Sequence, residues 1–363
     1  MEIIERKETD PVQVGGVTIG GGAPVVIQSM TNTKAIDSGA TMEQINQLAE
    51  AGCELVRLAV PNREAAETFK NLARESPVPL VADIHFDARL ALEVMENGAS
   101  KIRINPGNIG GKSKLIELAR RAEQLAVPIR IGVNAGSLEK KILEKHGGAS
   151  AAALVESALG YLDVLEEIGF SRIVVSLKAS DVVTTIKAYR SFSEKKPYPL
   201  HLGITGAGPL RSGLIKGAIG IGTLLAEGIG DTIRVSLTAH PVEEVRAAKQ
   251  ILQSLGMNRY GPELISCPTC GRCSVDLVAL VKEAEEMLEG YCLPLKVAVM
   301  GCAVNGPGEA READLGISAG KKHGIVFSHG QVIRTVGLDS LLDALKEELE
   351  AAADRGERRE EGK

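Results

Sequence analysis

Two loops in the C-terminal third carry most of the cysteines of this chain. The first reads Cys267-Pro-Thr-Cys270-Gly-Arg-Cys273, and the second reads Cys302-Ala-Val-Asn-Gly-Pro-Gly-Glu309. Five of the six cysteines lie between residues 267 and 302. Thiolates at Cys-x-x-Cys spacing can bind one soft metal centre, because two intervening residues let both sulfurs turn inward from a tight loop. The spacing therefore predicts a metal or cluster site rather than a disulfide framework.

The residue types leave zinc and an iron–sulfur cluster open. Zinc takes a closed set of ligands, which could come from Cys267, Cys270, Cys302 and either Cys273 or Cys292. A cluster that performs chemistry keeps one iron open or weakly held. Glu309 offers a carboxylate oxygen in the second loop, and oxygen is a harder ligand than thiolate, so it can give way to a substrate. This carboxylate favours the cluster.

A second group of polar side chains lies at the C-terminal ends of predicted strands. Within each strand the members have the same parity, so they share one face of the sheet. They are Arg57, Asp83, His85, Arg103, Asn105, Arg130, Asn134, Ser176, Lys178, His201, Thr205, Arg234 and Ser236. Four arginines and a lysine on one face favour anion binding, because unpaired buried cations are costly. The alternative is that some of them pair with carboxylates on neighbouring strands, but Asp83 is the one acidic residue in this group and cannot pair with all of them. Arginine suits phosphate geometry, so the pattern predicts a phosphorylated or diphosphate ligand.

The elements that position these residues alternate between strands and helices. Short β-branched runs are predicted as strands at 25–29, 55–59, 80–84, 101–105, 129–134, 172–177, 200–205 and 232–237, and amphipathic helices follow them. Such alternation predicts an α/β fold with a parallel sheet, and eight units fit a closed (β/α)8 TIM barrel, whose chemistry lies at the C-terminal ends of the strands. A doubly wound open sheet is the alternative.

The pattern changes after residue 260. The first cysteine loop is followed by a predicted helix, a strand, the second cysteine loop, a hairpin that turns at His329-Gly330, and a last helix from Leu338. We therefore predict a substrate-binding barrel over 1–258, a small α+β domain that holds the metal or cluster over 259–350, and a charged, disordered tail over 351–363.

Composition excludes several functional classes. The chain has 363 residues, a net charge of -5, 3% aromatic residues and no Trp. It offers neither the basic surface nor the aromatic platform that nucleic-acid binding uses. No apolar run approaches the ~20 residues that span a bilayer, and the first residues lack a signal-peptide pattern. We expect a soluble, cytoplasmic protein.

At this point several runs together resemble a known family, the bacterial two-domain form of 4-hydroxy-3-methylbut-2-enyl diphosphate synthase. The runs are Ser266-Cys-Pro-Thr-Cys-Gly-Arg272, Val299-Met-Gly-Cys-Ala-Val-Asn-Gly-Pro-Gly-Glu-Ala310, Ile104-Asn-Pro-Gly-Asn-Ile-Gly110, Ile131-Gly-Val-Asn-Ala-Gly-Ser137 and Val174-Val-Ser-Leu-Lys-Ala-Ser180. The resemblance covers nearly the whole chain, from about residue 26 to residue 337. It implies a step of the non-mevalonate pathway of isoprenoid biosynthesis.

The resemblance also implies the parts of the site. A [4Fe-4S] cluster would be held by Cys267, Cys270, Cys302 and Glu309, with Cys273 a bystander. The substrate would be 2-C-methyl-D-erythritol 2,4-cyclodiphosphate, reduced by two electrons from ferredoxin or flavodoxin. The residues similar to those that bind its diphosphate are Arg57, Arg103, Arg130, Asn134, Lys178, Arg234 and Ser236. The family forms a homodimer in which the cluster domain of one chain caps the barrel of the other.

One position departs from the family pattern. The chain reads Thr205-Gly206-Ala207, where the family usually has a glutamate, thought to be an acid or base, between Thr and Ala. Glycine cannot transfer a proton. Gly206 is then a deliberate substitution, a natural variant with reduced turnover, or a loss for which Asp83 or His85 compensates; the intact surroundings favour the first.

Two functions from other classes remain as alternatives. One is a zinc-stapled TIM barrel that binds a phosphorylated ligand without redox chemistry. The other is a catalytically silent binder that derives from the enzyme through the loss at Gly206.

Overall fold

The computed structural model describes residues 4–257, 261–291, 293–302 and 310–360, with side chains up to residue 354. The chain divides into two compact units, Met1–Met257 and Asn258–Lys363. The predicted boundary at residue 258 lies beside this division.

The first unit begins with a hairpin that the sequence analysis did not predict. Strands β1 (Val12–Val14) and β2 (Val17–Ile19) pair antiparallel around a Gly-Gly turn, in which Gly15 has a φ of 59°. Its apolar side chains pack against Val26, Leu55, Val81 and Val174. These valines and the leucine come from the N-terminal halves of barrel strands, so the hairpin seals that end of the barrel.

Within residues 4–257, eight parallel strands form the predicted barrel. They are β3 (Val26–Met30), β4 (Leu55–Ala59), β5 (Leu80–Ile84), β6 (Lys101–Ile104), β7 (Ile129–Asn134), β8 (Ile173–Lys178), β9 (His201–Leu202) and β10 (Thr232–Ile233). Each pairs with its neighbour in chain order, and β10 pairs with β3. A bridge between Val175 and Leu200 joins β8 to β9, so the sheet closes and the open-sheet alternative is wrong.

The last two strands are shorter than the predicted 200–205 and 232–237. Beyond Leu202 the backbone leaves the regular ladder: the amide of Thr205 donates to Ala179, and that of Leu237 donates to the Glu244 carboxylate. These loop contacts replace strand pairing at the mouth of the barrel.

Helices follow the strands and cover the barrel. In Arg63–Glu75, for example, Asn62 caps the N-terminus, and Ala65, Phe69 and Leu72 form the buried stripe. The helices of the first unit are α1 (Ser38–Glu50), α2 (Arg63–Glu75), α3 (Ala88–Glu96), α4 (Lys112–Gln124), α5 (Lys140–His146), α6 (Ala151–Glu167), α7 (Val182–Ser193), α8 (Leu210–Ala226) and α9 (Pro241–Ser254).

In the described part of the second unit, five strands form one mixed sheet. They are β11 (Glu263–Ser266), β12 (Lys296–Met300), β13 (Leu315–Ala319), β14 (His323–Ser328) and β15 (Gln331–Gly337), with helices α10 (Leu277–Leu288) and α11 (Leu341–Glu360). β11, β12 and β13 are parallel, and the predicted hairpin is β14–β15. α11 extends into the tail predicted over 351–363. The disorder predicted for this tail stays a prediction.

A search of the described helices finds none with the length and apolar character that crossing a membrane requires.

Candidate active site

Six cationic side chains enter the lumen of the barrel. Arg103 and Arg130 are partners in register on β6 and β7, and Asp83 is the partner of Arg103 on β5, so all three point to the same face. The lumen cations are Arg57, Lys101, Arg103, Arg130, Lys178 and Arg234. Lys101, Arg103, Arg130 and Lys178 are buried. The sequence analysis named five of them and missed Lys101.

Asp83 holds two of the arginines in place. Its carboxylate lies 3.2 Å from Arg103 Nη1, 3.9 Å from Arg57 Nε and 3.0 Å from His85 Nε2. Burial alone would raise the pKa of Asp83, but Arg57, the His85 hydrogen bond and Arg103 outweigh burial and hold this pKa far below its ordinary value. Asp83 is therefore an anion that positions cations, and it cannot donate a proton near neutral pH.

Glu244 performs the same role for Arg234, and the sequence analysis missed it. Its two carboxylate oxygens accept hydrogen bonds from Arg234 Nε at 3.0 Å and Nη2 at 3.1 Å. The same carboxylate accepts from the Ser29 hydroxyl at 2.8 Å. Glu244 lies in the first turn of α9 and is buried. This bidentate pair fixes the Arg234 guanidinium near the place where β10 pairs with β3 and closes the barrel.

Three lumen cations have no carboxylate partner in the described part of the chain: Lys101, Arg130 and Lys178. Arg130 Nε and Nη1 and Lys101 Nζ are buried and lack any hydrogen-bond partner among the described residues. Burial first, and then the neighbouring arginines, lower the pKa of each of the three well below its ordinary value. A lumen with this excess of buried positive charge is electrostatically suited to a multiply charged anion.

Two glycines make room for these side chains. A Cβ at Gly132 would lie 2.5 Å from Arg103 Nε, and a Cβ at Gly203 would lie 2.7 Å from Lys178 Nζ. Any larger residue at either position would therefore force the neighbouring cation to shift.

The other predicted strand-end residues divide into three groups. Asn134 and Lys178 are partners in register at the ends of β7 and β8. The Asn105 amide donates to the Ser137 hydroxyl at 2.6 Å, so it braces the loop after β7. Buried Ser176 and half-buried Thr205 and Ser236 lie along or just past the last strands.

His201 lies deeper in the barrel than the strand-end prediction placed it. It is fully buried, its Nδ1 lies 3.4 Å from Thr232 Oγ1, and its Nε2 has no partner among the described residues. Burial and the surrounding cations lower its pKa well below 6.5, so His201 is neutral.

Gly206 is exposed in the loop after β9. Its φ is 59°, in the left-handed region that favours glycine. Of the atoms in the described part of the chain, a Cβ at this position would meet only Ser180 Cβ, at 3.8 Å. The position therefore has space for a side chain, although its backbone conformation disfavours one.

The cysteine loops of the second unit extend from two neighbouring parallel strands. Cys267 follows β11 and Cys302 lies just past β12, and the two strands are paired as far as Ser266 and Val299. The amide of Gly301 donates to Cys267 Sγ at 3.4 Å, and the Ser318 hydroxyl donates to the carbonyl of Cys302 at 2.9 Å. The first bond joins the ends of the two loops, and the second fixes Cys302 to β13.

The thiols present have the donor chemistry of a soft metal site. Cys267, Cys270, Cys273 and Cys302 are all outside disulfides. Among the described residues no three His, Cys, Asp or Glu side chains are placed to hold a metal ion. Glu309 and Cys292 lie outside the described residues. Cys53 belongs to the barrel core, where burial raises its pKa to about 12 and leaves it an unreactive thiol.

Comparisons with known proteins agree across both units. A family model described as the GcpE TIM-barrel domain matches residues 9–249, and one described as the GcpE protein C-terminal domain matches residues 263–351. Three curated relatives carry the name 4-hydroxy-3-methylbut-2-en-1-yl diphosphate synthase (flavodoxin). The protein of Geobacter sulfurreducens is 53% identical over 95% of this chain and 98% of its own length. That of Anoxybacillus flavithermus is 52% identical over 97% of both, and that of Caldanaerobacter subterraneus is 54% identical over 95% and 97%.

Proposed function

This chain belongs to the GcpE family, and on that premise we propose that it is an iron–sulfur oxidoreductase of the non-mevalonate pathway. The substrate is 2-C-methyl-D-erythritol 2,4-cyclodiphosphate. Two electrons and two protons open its ring and release one oxygen as water, which gives 4-hydroxy-3-methylbut-2-enyl diphosphate. The name shared by the relatives supports this reading over the zinc-stapled barrel.

The proposal rests mainly on three buried lumen cations, Lys101, Arg130 and Lys178, that have no carboxylate partner among the described residues. A diphosphate supplies the negative charge that Arg130 and Lys178 lack in the described part of the chain. Arg57, Arg103 and Arg234 are already oriented by Asp83 and Glu244. Binding therefore requires little reorganisation of the site, which is the condition for strong electrostatic stabilisation.

The proposed cluster ligands are Cys267, Cys270, Cys302 and Glu309. When bound, a [4Fe-4S] cluster supplies the electrons for reductive cleavage of the carbon–oxygen bond. The Gly301 amide that donates to Cys267 Sγ would stabilise a thiolate at this position. Cys270 is exposed and Cys302 is buried, so the thiols span the surface and interior of the loop region.

A proton is also required, and we propose that His85 holds it in this chain, less effectively than a carboxyl at position 206 would. His85 Nε2 lies 3.0 Å from Asp83 Oδ2, and the side chain is 46% exposed. The ionised Asp83 accepts a hydrogen bond from Nε2 and thereby orients the ring. His85 thus combines a fixed position with access to solvent.

We propose reduced flavodoxin, or ferredoxin, as the electron donor and a homodimer as the working form in the cytoplasm. The relatives' name includes flavodoxin. On the barrel, Ile215 and Ile219 of α8 and Val183 of α7 are more than half exposed. An apolar surface of this kind supports self-association, in which the second unit of one chain caps the barrel of its partner.

Substitution of Arg130 tests the proposed substrate site. We expect Arg130→Met to lower kcat/KM for the cyclic diphosphate by about 10²-fold or more, because a buried charge pair with the substrate is lost. Folding should be retained, since the change removes an unpartnered buried cation. Turnover is measured anaerobically with an artificial reductant and mass detection of the product.

Arg121→Met is the matched control, because Arg121 lies on α4 and pairs with Glu96 at the surface. It should leave kcat/KM unchanged. A folded Arg130→Met protein with the kcat/KM of the original chain would contradict the proposed site.

A further inference from the structure

Lys101 lies at the level where the lumen changes from apolar to polar. Its register partner on β5 is Val81, which belongs to the apolar cluster sealed by the β1–β2 hairpin. Gln28, whose partner Leu55 is in the same cluster, is also buried, and its amide also lacks a hydrogen-bond partner among the described residues. Lys101 therefore belongs to the floor of the cation site.

Among the described residues, none supplies a compensating negative charge around Lys101. The side chain is fully buried, and Nζ has no hydrogen-bond partner in the described part of the chain. The charges that act on it are Arg130 of β7 and Arg57 of β4, both positive. His201 of β9 is neutral, and the charge of Lys101 is one of the causes that lower its pKa. An ammonium here would be desolvated and repelled from two sides.

Burial, followed by Arg130 and Arg57, places the pKa of Lys101 well below the ordinary 10.5. An anion that enters the lumen places negative charge near Lys101. This charge favours the protonated form of the amine. The geometry makes Lys101 a group whose charge can follow the occupancy of the site.

We propose that Lys101 is a positioning residue that takes up one proton from solvent when the diphosphate binds in the lumen. The neutral amine becomes an ammonium beneath the ligand, and together with Arg130 it balances the added negative charge. The inference rests on the proposed function, because it needs a diphosphate in this barrel.

The sign of the pH dependence follows from linkage. The pKa of Lys101 is higher in the complex than in the free barrel, so the complex binds more protons. Affinity is therefore greatest below the lowered pKa of the free barrel, and it falls as pH rises from that pKa towards the higher pKa of the complex. The fall is up to about tenfold per pH unit for each proton taken up.

Calorimetry of the full-length protein with the cyclic diphosphate tests the proposal. Each phosphorus of this ligand carries a single acidic oxygen, so its own charge is constant near neutral pH. Binding heats in two buffers of different protonation enthalpy give the number of protons taken up. We expect Lys101→Met to take up about one proton fewer than the original chain, and its affinity to depend less steeply on pH.

Lys114→Met on the surface of α4 is the control and should take up the original number. Lys101→Gln provides a second neutral side chain. Equal proton uptake by the Lys101 variants and the original chain would overturn the inference, and so would binding to the original chain without proton uptake. If neither the original chain nor any of the variants binds the cyclic diphosphate, the proposed function itself is overturned, and the inference with it.

Discussion

Replacing Gly206 with glutamate is expected to raise turnover by about 10²-fold or more, because a positioned acid or base contributes about that much to a reaction that needs proton transfer. The sequence around Gly206 resembles the family in which glutamate stands at this position. The described residues leave room for the new side chain, since its Cβ would meet only Ser180 Cβ among them, at 3.8 Å.

The backbone at Gly206 sets the cost of this change. With a φ of 59°, a residue with a Cβ is disfavoured by about 1–2 kcal/mol unless the loop relaxes. Thermal unfolding should therefore show a small loss of stability in Gly206→Glu. Gly206→Gln is the matched control, since it carries the same backbone cost and nearly the same shape but cannot transfer a proton.

The measurement is kcat for the cyclic diphosphate with a saturating artificial reductant. We expect glutamate to restore turnover and glutamine to leave it at the level of Gly206. Equal turnover of the glycine and glutamate forms would contradict this expectation, because His85 would then supply the proton as effectively as a glutamate does.

The second large effect concerns which cysteines bind the cluster. Cys302→Ser is expected to lose the cluster iron and all turnover, whereas Cys273→Ser should retain both. Cys302 is buried just past β12, where its carbonyl is fixed by Ser318. The Cys273 thiol lies against Gly301, since a Cβ there would approach Cys273 Sγ to 2.6 Å.

This pair of variants distinguishes the proposed ligand set from a set chosen by cysteine spacing alone, because the spacing Cys-x-x-Cys-x-x-Cys would include Cys273. Iron and acid-labile sulfide are measured per chain after anaerobic reconstitution. Near-equal iron loss in the two variants would make Cys273 a ligand and contradict the proposed set. Cys267→Ser should behave like Cys302→Ser, since Cys267 Sγ already accepts the Gly301 amide.

The sequence predicted the barrel well because each strand is a short β-branched run followed by an amphipathic helix. The same periodicity placed Arg57, Arg103 and Arg130 on one face, and the structure places them in the lumen. The Val12–Ile19 hairpin also had a signal, alternating apolar residues around Gly15-Gly16, which our sequence analysis did not use.

Two residues of the site could not be predicted in the same way. Glu244 lies on a helix, and its pairing with Arg234 and Ser29 depends on barrel closure, which brings β10 beside β3. Lys101 stands at the first position of its strand, where a lysine is normally solvated. Only the sealed floor of this barrel removes it from water. Such contacts depend on tertiary packing and not on local pattern.

The central claim is that a cluster in this chain reduces a cyclic diphosphate bound in the barrel. The most direct measurement is the spectrum of the anaerobically reconstituted, reduced protein before and after addition of 2-C-methyl-D-erythritol 2,4-cyclodiphosphate. We predict a brown protein with four irons per chain, and a change in the reduced-cluster spectrum when the cyclic diphosphate is added. A colourless protein that retains about one zinc per chain would contradict the account. A reduced cluster whose spectrum does not change when the cyclic diphosphate is added would contradict it as well.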